Sequence, residues 1–452
     1  MSWSNYNLPG KINQIKRQKM ADGKGKLKNS VFALSDQVAV SAGTFLSGII
    51  ICRNTSEADF GIFCLAWSII GFFRVVQERM IAAPYLAFTF RPSFKRNSYR
   101  GSSISHQAFY AVLISCIVMA ASIIASILGY KAWFGWQGPS LAFALFFNLA
   151  RDQMRAVSFT DFTFLRLLVL DSTVVATQLL GLLMLVWLDL FTLTSANFTL
   201  GFGCIGPFVA WLWLTKSQYT FEIKAIVLDW FHNWRYAQWL VGSRVLGIAP
   251  MVLVPLLIVR HEGDEGNAIY GVCCSLVGVS AMFASGFNNL FQSRTVLELQ
   301  RNGIRGMLIA IAESIAVVSI VLTCLSGVFL FWGGNLLAIF GSQYTSFGFL
   351  TFLLSVSTLV VSFSAIFGNG LAALQKSRDF FWGEVSCGIV SIVSALLLLP
   401  NYGLNGAAYA TILGGFTATL VTGLTLARGV RQYEPNSDST NVMAGSVSMK
   451  CK

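Results

Sequence analysis

Long apolar stretches alternate with short polar connections along the whole chain. Twelve stretches cover approximately 31–52, 60–80, 108–129, 139–157, 168–188, 194–214, 237–259, 268–291, 307–332, 346–367, 379–399 and 405–427. Each is close to the roughly 20 residues with which an α-helix crosses about 30 Å of hydrocarbon. Ten-residue segments of alternating polarity, the mark of a membrane β-barrel, are absent. The pattern predicts an all-α polytopic membrane protein with about twelve transmembrane helices.

Charge orients those helices. Of the 32 Lys and Arg, 28 lie on alternate connections or on the span ends beside them. Arg53, Lys131 and Arg260 lie on the other set, and Arg244 lies inside an apolar stretch. By the positive-inside rule the arginine-rich connections and both termini are cytoplasmic. A multi-pass protein of the cell (inner) membrane is expected. The composition agrees, with 55% hydrophobic and only 12% charged residues, against about 25% charged in soluble domains. The net charge of +12 does not indicate nucleic acid, because it sits in short loops beside anionic lipid. Residues 1–30 are basic and lead into a full-length span, which reads as an uncleaved anchor.

The chain repeats weakly. Ile50-Ile51-Cys52-Arg53, an acidic linker and Phe60-Gly61-Ile62-Phe63-Cys64 are echoed by Leu257-Ile258-Val259-Arg260, an acidic linker and Tyr270-Gly271-Val272-Cys273-Cys274. The offset from Arg53 to Arg260 is six spans, so the copies would share one orientation. This predicts two pseudo-symmetric six-helix lobes, an N-lobe at 31–214 and a C-lobe at 237–427. A cytoplasmic linker at 215–236 joins them, with polar tails at 1–30 and 428–452. Ile226, Val227, Trp230, Phe231 and Trp234 make the linker an interfacial amphipathic helix or an aromatic-belt anchor. Trp133, Trp136, Trp187 and Trp332 read as the belt on the outer side.

Several segments resemble the polysaccharide and lipid-linked oligosaccharide flippases (Wzx-like) of the multidrug/oligosaccharidyl-lipid/polysaccharide exporter superfamily. They are Ser35-Asp36-Gln37-Val38-Ala39 with Ala58-Asp59-Phe60-Gly61, Phe340-Gly341-Ser342-Gln343-Tyr344, Ala373-Leu374-Gln375-Lys376, and Leu399-Pro400-Asn401-Tyr402-Gly403-Leu404-Asn405-Gly406. The resemblance implies two lobes around a central cavity and alternating access. With only a polar tail after helix twelve, it implies the twelve-helix polysaccharide branch. On this reading the protein moves a lipid-linked oligosaccharide across the cytoplasmic membrane. Its partners would be the lipid-linked sugar, membrane lipids, and a polysaccharide polymerase or glycosyltransferases. An ion-coupled multidrug or cation antiporter of the same superfamily is the alternative, and would need an acidic cavity.

Charged groups inside spans cost about 2.5–3.5 kcal/mol each on insertion scales, so they face a cavity or a partner. Arg244 in span seven and Asp36 with Gln37 in span one lie at similar depth and are related by the repeat. Arg244 would bind an anionic group that Asp36 balances, or the two form a structural pair. Arg74, Glu78 and Arg79 close span two. Arg74 and Glu78 can pair at i and i+4, and Arg74 with Arg79 can capture a phosphate or be ordinary positive-inside residues. Glu313 and Glu384 are further ion-coupling candidates beside Asp36. Asn288 and Asn289 offer neutral sugar-binding groups or helix–helix hydrogen bonds. Gly247, Pro250 and Pro255 mark span seven as a bending helix or a static kink. No nucleotide loop of the G-x-x-x-x-G-K-[ST] type occurs, so an ion gradient or the membrane potential would supply the energy. No connection is long enough for a catalytic module, and neither metal nor cofactor is expected.

Overall fold

Apolar residues on every face and polar caps at the ends make these stretches helical. Ser56 accepts from the Asp59 amide at the start of one helix, and Thr192 with Ser195 forms a capping box at another. The computed structural model describes residues 23–90, 95–128, 137–374 and 376–433. Among the described residues no strand occurs. The α-helices are α1 (Gly23–Arg53), α2 (Glu57–Gln77), α3 (Ala83–Phe88), α4 (Arg96–Ile127), α5 (Gln137–Thr160) and α6 (Phe164–Trp187). They continue with α7 (Leu193–Thr215), α8 (Ile223–Ile248), α9 (Pro250–Leu337), α10 (Gly348–Ala373) and α11 (Ser377–Arg431).

Glycine decides where the two longest helices turn. In α9, Gly263 and Gly303 have φ of 76° and 64°, and in α11 Gly403 has φ of 56°. A Cβ is disfavoured in this left-handed region, so each glycine breaks a helix in which the hydrogen bonding otherwise runs on. With these breaks, and with α2 and α3 read as one rod, the helical segments are 23–53, 57–88, 96–127, 137–160, 164–187, 193–215, 223–262, 264–302, 304–337, 348–373, 377–402 and 404–431. Each of the twelve expected spans falls on one of them. Length and composition alone pick out nine membrane-crossing helices among the described residues. The glycine-broken pairs merge in that count, and α5 is too polar to enter it.

Proline shapes two other sites. Pro84 lacks an amide hydrogen, and the turn before it widens into a π-helix at Glu78–Ala82. Pro250 opens α9 directly after α8 ends at Ile248, and Pro255 lies within the same segment. The amphipathic stretch expected as a linker and the first half of span seven form one helix, α8. Trp133 and Trp136, the tails at 1–22 and 434–452, and Gln375 lie outside the described residues.

The chain divides into two compact units, one running to Val241 and the other from Gly242. In the first, α1 packs on α6, and α5 packs on α4 and α7. Its apolar packing centres on Ile70, Tyr110, Leu145 and Leu149, and on Tyr85, Tyr99, Met154 and Trp211. In the second unit, α9 and α11 pack on α10 around Met307, Val318, Leu322 and Leu371. Both units put apolar side chains outward, such as Phe109, Ile123, Leu183 and Met184 in the first and Ile320, Phe331 and Leu397 in the second. Buried positions include many polar groups, among them Gln77, Asn148, Asp171 and Ser314. Such an exterior suits hydrocarbon, whose tails are as apolar as leucine.

Candidate functional site

The first unit carries a chain of ion pairs in its interior. Arg151 and Arg155 stand one turn apart on α5 and share a face. Arg155 Nη2 donates to Asp36 Oδ2 on α1 at 2.9 Å, and its Nη1 donates to Asp171 Oδ2 on α6. Arg151 Nε donates to Asp171 Oδ1 at 2.7 Å. Asp152, on the neighbouring face of α5, accepts two hydrogen bonds from Arg74 on α2, at 2.6 and 2.8 Å. Asp36 and Asp171 are fully buried. Three carboxylates face three guanidiniums, so the network is neutral, as burial in a low-dielectric interior requires. It is incompletely satisfied: Asp36 Oδ1 and Arg151 Nη2 have no hydrogen-bond partner among the described residues.

The second unit holds a cavity of about 540 Å³. Arg244 on α8 and Glu384 on α11 stand on its wall, with Arg244 Nη1 donating to both Glu384 oxygens at 3.0 and 2.8 Å. Gly247, one turn after Arg244, lets Glu384 approach. A Cβ there would stand 2.7 Å from Glu384 Oε2. Asn288, Ser357 and Thr411 add neutral polar lining, and Asn369 Nδ2 donates to Asn288 Oδ1 at 2.7 Å. Arg244 Nε has no hydrogen-bond partner among the described residues. Pro250 and Met251 also line this cavity, so the junction between α8 and α9 forms part of its wall.

The residues singled out in the sequence therefore separate into two sets. The countercharge of Asp36 is Arg155, and that of Arg244 is Glu384. Arg74 pairs with Asp152 rather than with Glu78, while Arg79 lies 3.7 Å from Glu78. Gln37 is exposed beside buried Asp36. Glu313 is exposed and meets Arg294 at 2.5 Å. Nothing is described of the Asn289 side chain. Asp152 and Asp171 were missed. The available signal was Arg151 and Arg155, four residues apart at the cytoplasmic end of span four and on one helix face. Such a pair demands carboxylates on neighbouring helices.

The fold is that of known transporters. No family model matches the chain, and no curated protein matches it significantly in sequence. Solved structures do match. A multidrug resistance transporter of the MATE family, of the MOP superfamily, in its inward-facing conformation aligns with a TM-score of 0.67 at 12% identity, over 90% of this chain and 96% of that one. A MOP superfamily transporter from Pyrococcus furiosus aligns at 0.65 and 11%, over 90% and 95%. A eukaryotic MATE transporter aligns at 0.65 and 12%, over 90% and 97%. The MATE neighbours have twelve transmembrane helices in two lobes.

These matches correct the family read from the sequence. The solved structures that share the fold are MATE transporters, and neither the Wzx-like family nor a flippase of lipid-linked oligosaccharide is supported. The motifs that carried the resemblance explain the error. Asn401-Tyr402-Gly403-Leu404 surrounds the left-handed glycine that breaks α11, and Gly341-Ser342-Gln343-Tyr344 enters the 3₁₀ turn at Ser342–Phe347 before α10. Both are turns that shape the fold.

Proposed function

We propose that this protein is a secondary transporter of the cell membrane that exchanges small organic cations for protons or sodium ions by alternating access. The Arg244–Glu384 pair on the wall of the 540 Å³ cavity carries this reading. A carboxylate whose one ion-pair partner among the described residues is a guanidinium inside a cavity can trade that countercharge for a cation from outside. A proton on Glu384 removes the charge, and an organic cation replaces Arg244. The two events exclude each other, and mutual exclusion at one carboxylate couples opposite movements of ion and substrate. The fold supports the reading, since multidrug resistance transporters of the MATE family align along nearly their whole length.

Other residues take graded parts in the proposal. The cavity volume lies within the roughly 300–1,000 Å³ typical of small-molecule sites, and its apolar and hydroxyl lining suits an amphipathic cation. Asn288 contributes a neutral polar contact. Asp36 is a second coupling candidate, because its Oδ1 is free to take a proton or a metal cation. Gly247, Pro250 and Pro255 would let the α8–α9 junction bend as access alternates, since proline and glycine weaken the hydrogen-bond ladder there.

The test uses proteoliposomes holding the full-length protein. Ethidium accumulation is followed by fluorescence under an imposed proton or sodium gradient, and Glu384→Gln is compared with the parent. Gradient-driven accumulation that Glu384→Gln abolishes is the expected result. If the parent moves no ethidium or other organic cation under either gradient, the proposal is wrong. Accumulation that survives Glu384→Gln would move the coupling site elsewhere.

A further inference from the structure

A second cavity, of about 360 Å³, lies in the first unit, away from the ion-pair chain. Four helix ends surround it: the starts of α4 and α6 and the ends of α5 and α7. Its lining includes Arg96, Arg100, Ser158, Asp161, Arg166 and Gln218. Three of these are cationic and one is anionic. Asp161 is shared by Arg96, at 2.9 Å, and by Arg100, which is buried. Arg100 is spent on structure: Nη1 donates to Gln218 Oε1 at 2.6 Å and Nε to Tyr85 Oη at 3.2 Å. Arg166 forms no ion pair among the described residues and is exposed. The excess positive charge of the cavity therefore sits at Arg166 and on the free face of Arg96.

Two further observations point to a ligand. Ser158 is 1% exposed and lines the cavity, yet its hydroxyl has no hydrogen-bond partner among the described residues. A buried hydroxyl left unpaired is destabilising, and an acceptor entering the cavity would remove that cost. The rim is apolar and outward-facing: Phe162, between Asp161 and Thr163, and Leu165, beside Arg166, are both exposed. Phe90 is exposed too, and its ring lies under the Arg96 guanidinium at 5.1 Å. Phe162 holds a left-handed backbone, φ 57°, unusual for a bulky residue. The helix ends and the arginine-rich connections place this cavity at the cytoplasmic surface of the bilayer.

We infer that this cavity binds the phosphate of an anionic phospholipid headgroup from the cytoplasmic leaflet. Arg166 and Arg96 would hold the phosphate oxygens through charge-assisted hydrogen bonds, and Ser158 would donate to one of them. The acyl chains would lie over Phe162, Leu165 and Phe90. Basic pockets between helix ends at this depth suit anionic headgroups, and the apolar rim favours a lipid over free phosphate. The site is independent of the transported substrate, so it stands or falls separately from the transport reading.

The experiment uses full-length protein in neutral detergent with phosphatidylcholine. Native mass spectrometry counts the phosphatidylglycerol retained by the parent, and thermal unfolding is titrated with phosphatidylglycerol or with inorganic phosphate at matched phosphate concentration. The parent should retain phosphatidylglycerol in preference to phosphatidylcholine and be stabilised saturably by it, and inorganic phosphate should give no comparable shift. Arg166→Gln should raise the phosphatidylglycerol midpoint about tenfold, the loss expected for a charge-assisted contact. Arg166→Glu should abolish the effect, and Arg428→Gln, which removes one charge from the other unit, should follow the parent. Superimposable curves for the parent and Arg166→Gln would overturn the site. Equal stabilisation by inorganic phosphate would overturn the lipid assignment in favour of a soluble anion. Because parent retention is read without any substitution, a variant that fails to fold leaves the inference testable.

Discussion

Replacing Asp171 with Asn should destabilise the first unit more than most single changes in this chain. Asp171 is fully buried and takes hydrogen bonds from both Arg151 and Arg155. The local balance of two carboxylates, Asp36 and Asp171, against two guanidiniums would become one against two. Arg151, whose Nη2 already lacks a partner, would lose its only ion-pair partner among the described residues. Breaking a buried pair from one side costs about 3–5 kcal/mol, because an uncompensated charge stays behind. At roughly 2 °C per kcal/mol for a unit of this size, the unfolding midpoint should fall by about 6–10 °C. Intrinsic tryptophan fluorescence on heating detergent-purified protein measures it. The compensated pair Arg151→Met with Asp171→Leu should recover most of the loss, since it restores neutrality and fills the space. A shift below about 2 °C for Asp171→Asn, or a double variant no better than the single one, would refute the neutral-network argument.

Other outcomes follow from the same geometry. Gly247→Ala would bring a Cβ to 2.7 Å from Glu384 Oε2; it should push Glu384 off Arg244 and lower gradient-driven ethidium uptake severalfold, while moving the unfolding midpoint little. Gly303→Ala meets no atom within 4 Å, so its cost should be that of the positive-φ backbone alone, about 1–3 kcal/mol, read as a lower unfolding midpoint with parental ethidium affinity. For Arg74 and Asp152, joined at 2.6 and 2.8 Å, either single alanine change should impair folded yield, and charge exchange between them should restore part of it. A restored yield no higher than either single variant would argue against a direct pair.

Much of the fold was legible because hydrocarbon imposes a simple length rule. Each expected span falls on one helical segment, even where α9 and α11 run through two or more spans without a loop. The turns within those rods lie at glycines between apolar runs, Gly263, Gly303 and Gly403, whose positive φ only the structure showed. The ionic groups were harder. Asp36, Arg244 and Glu384 stood out because charge inside a span is costly, yet their partners could not be read. Repeat symmetry suggested pairing Arg244 with the first span, whereas Glu384 reaches it along the α8–α11 contact. The i, i+4 rule suggested Arg74 with Glu78, whereas Asp152 offers a bidentate acceptor from another helix. The flippase resemblance failed for a related reason: turn motifs report the fold, and cargo specificity lies in side chains that converge from distant spans.

By itself the sequence determined the solvent of this protein and its helix count, and it set an expectation for the sides on which its connections lie. These follow from hydropathy, length and charge, all of which act locally along the chain. Only the tertiary structure decided which charges meet: Asp36 with Arg155 and Asp171 with two arginines in one unit, and Arg244 with Glu384 in the other. The reason is physical. Burying a charge requires a countercharge within hydrogen-bond reach, and helix packing, not separation along the chain, brings residues 119 or 140 positions apart to within 3 Å of each other.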